Sequence, residues 1–254
     1  MTHDVFATQP PEFIKLLAND VRWGVLKALT SGDHQVGELV ARLRQPMNLV
    51  SYHLKKMREE ALVTTRRSEA DGRDVYYSLN VERLRDLYWS AGSALHPLLG
   101  QPDRAFDQHA LPAVRVLILC THNSARSQMA EGLFRHLSGG QIAVYSAGSH
   151  PTRVHPDAIR TMDRFGIDIR AHTAHHLNEY TRQPFDYVIT VCDKAREICP
   201  TFPGKGHQLH WGFADPTAIQ DDTKRAEAFA HIAGRLKTRI AFFLSTLSMD
   251  ESEG

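Results

Sequence analysis

Cys120 and Arg126 are separated by five residues in the segment CTHNSARS, and together they could bind a tetrahedral oxyanion. A loop of this length can wrap around the anion, and the arginine can offer two parallel N–H donors to its oxygens. Asn123 and Ser127 could hold the loop and hydrogen-bond the sulfur. The residues that we predict to contact the substrate are Thr121, His122, Asn123, Ser124, Ala125, Arg126 and Ser127.

The position of this loop in the chain supports the same chemistry. The apolar run from Val114 to Leu119 is typical of a buried parallel strand, and the stretch from Arg126 to Leu137 suits a helix. Amides at a helix N-terminus point at whatever lies there and favour negative charge. Cys120, at the junction of the strand and the helix, should therefore be rich in thiolate near neutral pH.

A carboxyl group further along the chain could complete this chemistry. Asp215 lies in the segment WGFADP, after a predicted strand. An aspartate before a proline is often only a turn residue. Together with the oxyanion loop, however, Asp215 becomes a candidate general acid for the leaving oxygen.

Two further cysteines decide between chemistries. Cys192 and Cys199 flank the segment DKAREI, which would separate them by roughly 10 Å if it were helical. A disulfide tolerates a Cα separation of at most about 7 Å, so a bond between them requires this segment to unwind. We predict a mobile redox segment. A phosphatase needs one cysteine, whereas three thiols suit a reduction.

The two halves of the chain have different patterns. From about residue 114 to 250, strands alternate with helices, which predicts an α/β domain with a central parallel sheet. Residues 1–95 read as helices, then a hairpin with an Asp71-Gly72 turn, then a helix from Val81 to Leu95, which predicts an α+β domain. Residues 96–113 hold three prolines and no sustained period, so we interpret them as a linker.

Composition excludes several classes of protein. A net charge of +1 does not predict a general polyanion binder, and no apolar run is long enough for a membrane span. The first residues lack the basic and apolar regions of a secretory signal, so we expect a cytoplasmic location. His172, His175 and His176 cluster, but their spacing matches no zinc pattern, and we predict no metal site.

The second half resembles the thioredoxin-coupled arsenate reductases, which have the low-molecular-weight tyrosine phosphatase fold. The resemblance rests on CTHNSARSQMAEG, VYSAG, ITVCDKAREICP and HWGFADP, in this order. It implies that Cys120 is the nucleophile, Arg126 the oxyanion clamp and Asp215 the acid. It also implies that Cys192 is the resolving thiol and that Cys199 completes the final disulfide. Thioredoxin would be the reductant, with no tightly bound cofactor.

The first half resembles the ArsR-type winged-helix repressors, through VGELVARL, QPMNLVSYHLK, ALV and the hairpin with Asp71-Gly72-Arg73. The resemblance implies a recognition helix from Asn48 to Arg58 in the major groove, a wing near the DNA backbone, and a homodimer formed through the outer helices. The predicted DNA-contacting residues are Asn48, Ser51, Tyr52, Lys55, Arg66 and Arg73. This half contains no cysteine, so it cannot form a thiolate site for arsenite.

The sequence therefore predicts a fusion of a winged helix-turn-helix domain with an arsenate reductase. Its expected partners are arsenate, thioredoxin and double-stranded operator DNA. Two alternatives stay open at this point. One is a phosphotyrosine phosphatase with incidental distal cysteines. The other is a transcriptional regulator whose second domain only senses an oxyanion or the redox state.

Overall fold

The computed structural model describes residues 9–95 and 111–250, without the side chains of residues 248–250. These residues group into two compact units, 9–67 with 74–95 and 68–73 with 111–250. Most of the predicted linker, residues 96–113, lies outside the described residues. None of the helices in the described part of the chain has the length and apolar character needed to cross a membrane.

The first unit combines helices with a small antiparallel sheet, as predicted. Its helices are α1 (Glu12–Leu17), α2 (Asp20–Ser31), α3 (Val36–Leu43), α4 (Met47–Glu59) and α5 (Val81–Leu95), and its strands are β1 (His34–Gln35), β2 (Val63–Arg67) and β3 (Val75–Leu79). The sheet order is β1-β3-β2. The predicted hairpin is confirmed, since Val63 pairs with Leu79 and Arg67 with Val75. The two-residue strand β1 was not predicted, because so short a strand has no periodic pattern.

Helical spacing explains the core of the first unit. On α4, Val50, His53, Leu54 and Met57 are buried, and these positions recur on one face of a helix. They pack with buried residues of α2 and α3, among them Leu29 and Leu39. The opposite face of α4 consequently points to solvent, which leaves polar side chains free to meet a ligand.

The second unit is built on a parallel sheet, and this confirms the predicted fold class. Its strands are β4 (Arg115–Cys120), β5 (Ala143–Gly148), β6 (Tyr187–Thr190) and β7 (His207–His210), and its helices are α6 (Arg126–Leu137), α7 (Pro156–Arg164), α8 (Asp193–Glu197) and α9 (Asp222–Asp250). The strand order is β5-β4-β6-β7, and all neighbours run parallel.

This topology places the residues at the carboxyl ends of the strands, Cys120 among them, at one edge of the sheet. The carboxyl ends of parallel strands share an edge, and ligands bind there in open α/β sheets. Cys120 ends β4 and Gly148 ends β5, while His210 ends β7. The apolar pattern predicts a last strand from His207 to Phe213, whereas in the structure this strand ends at His210. The loops that follow the strands therefore form the site.

Candidate active site

The loop between β4 and α6 is held from outside by the segment that follows β5. The carbonyl oxygens of Thr121, His122 and Ser124 accept hydrogen bonds from the amides of residues 150, 152 and 155, at 2.9–3.0 Å. Gly148 lies so close that a Cβ there would come within 2.6 Å of the Thr121 oxygen and 2.8 Å of the Asn123 nitrogen. The glycine of the VYSAG segment is thus a site residue that the sequence analysis did not single out.

Two donors converge on the sulfur of Cys120. The Asn123 amide donates to it at 3.1 Å, and the hydroxyl of Ser127 lies 2.9 Å away. The Asn123 side-chain amide donates to the Ser127 oxygen at 3.0 Å, so the hydroxyl proton of Ser127 is left to point at the sulfur. The backbone amide and the hydroxyl thus hold the sulfur in a fixed place in the loop, between the end of β4 and the start of α6.

Asn123 is the central residue of the loop. Its backbone is left-handed, with φ of 43°, a conformation that asparagine adopts more readily than most residues. Its side-chain amide also donates to Ser146 at 2.7 Å, while its oxygen accepts from the His175 amide at 2.8 Å and from Gln128 at 3.1 Å. The role of Gln128 was not predicted, because its partners come from distant parts of the chain.

Arg126 lies beside Cys120, almost fully buried at 6% exposure. Its guanidinium donates to the carbonyl of Phe213 at 2.6 Å and lies 3.3 Å from the carboxylate of Asp215. Burial opposes its charge, but Asp215 and the neighbouring groups outweigh burial and raise the pKa of Arg126. A charged arginine in this position can bind an oxyanion.

Asp215 is held by the short turn that follows it. One carboxylate oxygen accepts from the backbone amide and the hydroxyl of Thr217, at 3.1 and 2.9 Å. The other oxygen faces Arg126. The loop, Arg126 and Asp215 open onto one cleft, lined by Cys120, His122, Ser124, Ala125, Arg126, Thr152, His155, Asp215 and Thr217. The structure thus brings together the predicted nucleophile, oxyanion clamp and acid.

Three residues of this cleft were not predicted: Thr152, His155 and Thr217. The ring of His155 stacks on Phe229, with ring centroids 5.1 Å apart, and accepts a hydrogen bond from the Asp157 amide at the start of α7. Burial is the main cause that lowers the pKa of His155. The sequence signal for its position is the proline that follows it and begins the helix.

The second thiol lies beneath the loop. Cys192 is 1% exposed, and its sulfur is 3.4 Å from the hydroxyl of Thr121, the residue next to Cys120. Burial raises the pKa of Cys192, and Arg126 partly opposes this. Cys199, on the far side of α8, is half-buried, and burial raises its pKa to about 11. All three cysteines are free thiols.

The segment 68–73, which belongs to the second unit, also contributes a carboxylate. Glu69 lies 3.1 Å from the guanidinium of Arg126 and accepts from the backbone amide of Asp215 at 2.7 Å. Its own amide donates to Asp193 at 2.7 Å. Nothing in the sequence pattern indicated this contact, because a glutamate in a hairpin loop is most often a solvated surface residue.

The residues that the sequence predicts to contact DNA are exposed, with one exception. Asn48, Ser51, Tyr52 and Lys55 are all exposed on α4. Arg66 is more enclosed, with its guanidinium 4.8 Å from the ring centroid of Tyr76 and 3.7 Å from Asp33. Arg73 is exposed and pairs with Asp71 at 2.8 Å. Contact of these residues with DNA stays a prediction.

A cysteine and an arginine on one loop between a strand and a helix, facing an aspartate across a cleft, define a cysteine-dependent enzyme that acts on oxyanions. The low molecular weight phosphotyrosine protein phosphatase family matches residues 115–253, and the chain belongs to this family. The arsR family of bacterial regulatory proteins matches residues 19–65, so the first unit carries an ArsR-family helix-turn-helix domain.

Arsenate reductases are among the relatives of the second unit. The arsenate reductase of Halalkalibacterium halodurans is 36% identical over 132 residues, which cover 52% of this chain and 95% of the relative. Arsenate reductase 1 of Staphylococcus epidermidis is 40% identical over 125 residues, which cover 46% of this chain and 95% of the relative. A solved structure of an arsenate reductase in the oxidized state is 32% identical, with a TM-score of 0.47, over 52% of this chain and 98% of that chain.

Proposed function

We propose that the second unit reduces arsenate to arsenite through a relay of three cysteines that thioredoxin resets, and that the first unit binds operator DNA. The observation that carries the reductase proposal is the placement of Cys192. A second thiol lies 3.4 Å from Thr121, beneath the loop that holds the nucleophile. Hydrolysis of a phosphate ester needs only Cys120, Arg126 and Asp215, whereas a reduction needs a thiol that can attack Cys120.

The first step forms a covalent adduct. Arsenate binds in the loop with its oxygens on the loop amides and Arg126, and the thiolate of Cys120 attacks the arsenic atom. An As–O bond breaks, and Asp215 supplies the proton with which the oxygen leaves as water. The arsenic is still pentavalent in the Cys120–arsenic adduct.

The second step moves the electrons. The thiolate of Cys192 attacks the sulfur of Cys120, a Cys120–Cys192 disulfide forms, and the S–As bond breaks. Its two electrons go to arsenic, which leaves as arsenite. Cys199 then attacks Cys192, forming the Cys192–Cys199 disulfide and freeing Cys120 as a thiolate. Thioredoxin reduces this disulfide by dithiol exchange, and no tightly bound cofactor is required.

The family match of the first unit and the polar exposed face of α4 support DNA binding.

The dimer that we propose uses the outer helices. Ile14 on α1, and Tyr88 and Leu95 on α5, are large exposed apolar residues, which is typical of a protein interface. A protein that binds operator DNA and draws on thioredoxin would work in the cytoplasm.

The decisive experiment is arsenate-dependent oxidation of NADPH with thioredoxin and thioredoxin reductase, run beside hydrolysis of p-nitrophenyl phosphate. We expect robust oxidation that is lost in Cys120→Ser and in Cys192→Ser. Cys199→Ser should release one equivalent of arsenite and then stop. Ester hydrolysis without NADPH oxidation would make the unit a phosphatase. Absence of both activities, with tight operator binding, would leave a regulator whose second unit is a sensor.

A further inference from the structure

A buried chain of polar side chains lies next to Cys192, and the relay described above does not use it. Asp193, the residue after Cys192, is 1% exposed, and its carboxylate lies 3.0 Å from Nε2 of His210. Nδ1 of His210, itself 6% exposed, lies 2.8 Å from the hydroxyl of Thr190. The chain therefore runs from the start of α8 to the ends of β7 and β6.

The stability of the fold does not by itself explain why these polar side chains are buried. A buried ion pair or charged hydrogen bond contributes little to stability compared with apolar residues of the same volume, because both groups must be stripped of water. Such pairs are best explained by the geometry that they impose. This pair ties the backbone beside Cys192 to two strands of the central sheet.

The two ends of the redox segment are held very differently. At the Cys192 end, the side chain of Asp193 bonds to His210 and also accepts from the Glu69 amide. At the other end, the amide of Cys199 makes a 3.3 Å bond to the carbonyl of Arg196, and its thiol faces the carbonyl of Pro200 at 3.7 Å. The segment is thus tied to the sheet by buried side-chain hydrogen bonds at its first thiol, whereas its second thiol is half-buried and packs against the apolar core.

The relay requires this asymmetry. Cys192 has to stay under the loop until it has attacked Cys120, and Cys199 has to approach Cys192 afterwards. Two thiols at opposite ends of a helical segment must come within about 7 Å between Cα atoms, so one end has to move. Movement of the Cys192 end would separate it from Cys120 and prevent the first disulfide.

We propose that Asp193 and His210 are positioning residues that hold Cys192 in line with the sulfur of Cys120, so that α8 unwinds from its Cys199 end. This inference rests on the three-cysteine relay. It assigns to His210, in the segment HWGFADP, a role in the attack of the second thiol. The binding of the oxyanion in the loop does not depend on it.

The test separates disulfide formation from oxyanion binding. The parent for this test is the full-length protein with Cys199→Ser, in which the first disulfide is not resolved. The reduced protein is mixed with arsenate without thioredoxin, quenched at intervals with an alkylating agent, and analysed by peptide mass spectrometry for the Cys120–Cys192 disulfide. Oxyanion binding is measured separately, as the protection of Cys120 from iodoacetamide by inorganic phosphate. The variants are His210→Leu, His210→Gln, which keeps an N–H donor for Asp193, and His207→Leu as a control on the same strand.

We expect His210→Leu to form the first disulfide about 100-fold more slowly, since a misplacement of about 1 Å can have this effect on a reaction between positioned groups. Phosphate protection should stay within about twofold of the parent protein, because the loop is untouched. His210→Gln should recover most of the rate, and His207→Leu should keep all of it. If His210→Leu fails to fold, Asp193→Ala combined with His210→Leu removes the unpaired carboxylate and should show the same slow step.

Three results would overturn the inference. An unchanged rate of the first disulfide in His210→Leu would show that the pair does not position Cys192. A parallel loss of phosphate protection would show a general structural defect instead. If the Cys199→Ser parent forms no Cys120–Cys192 disulfide with arsenate, the relay itself is wrong, and the inference fails with it. The first of these results refutes this inference alone and leaves the relay standing.

Discussion

Two consecutive hydrogen bonds lead to the sulfur of Cys120. Asn123 donates to the oxygen of Ser127, and Ser127 can then give its proton to the sulfur, at 2.9 Å. The hydroxyl of Ser127 therefore helps to orient the sulfur for attack. The loop amide of Asn123 supplies the second donor.

Replacing Ser127 by Ala should therefore slow alkylation of Cys120 by iodoacetamide at neutral pH by about tenfold, because one of the two hydrogen bonds that orient the sulfur is lost. The measurement is the alkylation rate at a fixed pH and a fixed iodoacetamide concentration. Thr181→Ala is the control, since this hydroxyl bonds to an exposed carbonyl in a distant turn. Equal rates in Ser127→Ala and the parent would contradict the assignment.

The proposed resolving thiol, Cys192, is buried. Burial raises the pKa of Cys192 above its ordinary value, so at neutral pH the thiol form dominates. Formation of the first disulfide at saturating arsenate should accordingly accelerate by up to about tenfold per pH unit between pH 6 and pH 9. Rapid-quench measurement of arsenite release gives this profile. A rate that is flat over this range would mean that Cys192 is already a thiolate when it attacks.

Arg126 is paired with two carboxylates, Asp215 and Glu69, before any substrate binds. An oxyanion that enters the loop has to compete with Glu69 for the guanidinium. We expect Glu69→Gln to lower the KM for arsenate by about tenfold and to change kcat little, since the amide keeps an acceptor for the Asp215 backbone but loses the charge. Asp71→Asn, in the same segment, should leave KM unchanged. A higher KM in Glu69→Gln would show that this carboxylate assists binding.

At the scale of elements, β5 approaches the loop between β4 and α6 so closely that no side chain fits between them. Gly148 has no space for a Cβ because backbone atoms of Thr121 and Asn123 lie in the way, and backbone cannot rotate aside as a side chain can. Gly148→Ala should therefore lower the free energy of unfolding by about 1–3 kcal/mol and displace the loop.

Urea unfolding and phosphate protection of Cys120 measure these two effects of Gly148→Ala. Gly234→Ala is the matched control: Gly234 lies inside α9, and a Cβ there would meet nothing within 4 Å. It should raise stability by about 0.5–1 kcal/mol, since alanine is the better helix former. If Gly148→Ala binds phosphate as the parent does, the loop does not need this close contact.

Sequence patterns predicted these elements well where the signal is local. The buried run of β4, the helical stretch of α6 and the hairpin around Asp71 each have their own period or turn residues, and each was confirmed. The partners of Asn123 and the approach of Glu69 to Arg126 could not be predicted in this way. They join residues distant in sequence, and a period within one element carries no information about which side chains meet across the fold.

At the scale of the whole molecule, the distribution of cysteines limits how arsenic could regulate DNA binding. All three thiols lie in the second unit, and the residues of the ArsR-family match contain none. Arsenite is bound strongly by soft thiolate ligands, and the nitrogen and oxygen ligands available in the first half do not replace them. Any response of the operator complex to arsenite must therefore pass through Cys120, Cys192 or Cys199.

A chain with all three cysteines changed to serine tests this directly. Fluorescence anisotropy with operator DNA at fixed salt should give the same affinity as the parent protein without arsenite, because no cysteine lies in the DNA-binding half. If arsenite releases the parent from DNA, the serine variant should stay bound at the same arsenite concentration. Release of the serine variant would place the arsenite site in the first unit, on ligands other than thiols, and would separate regulation of the operator from the chemistry of the second unit.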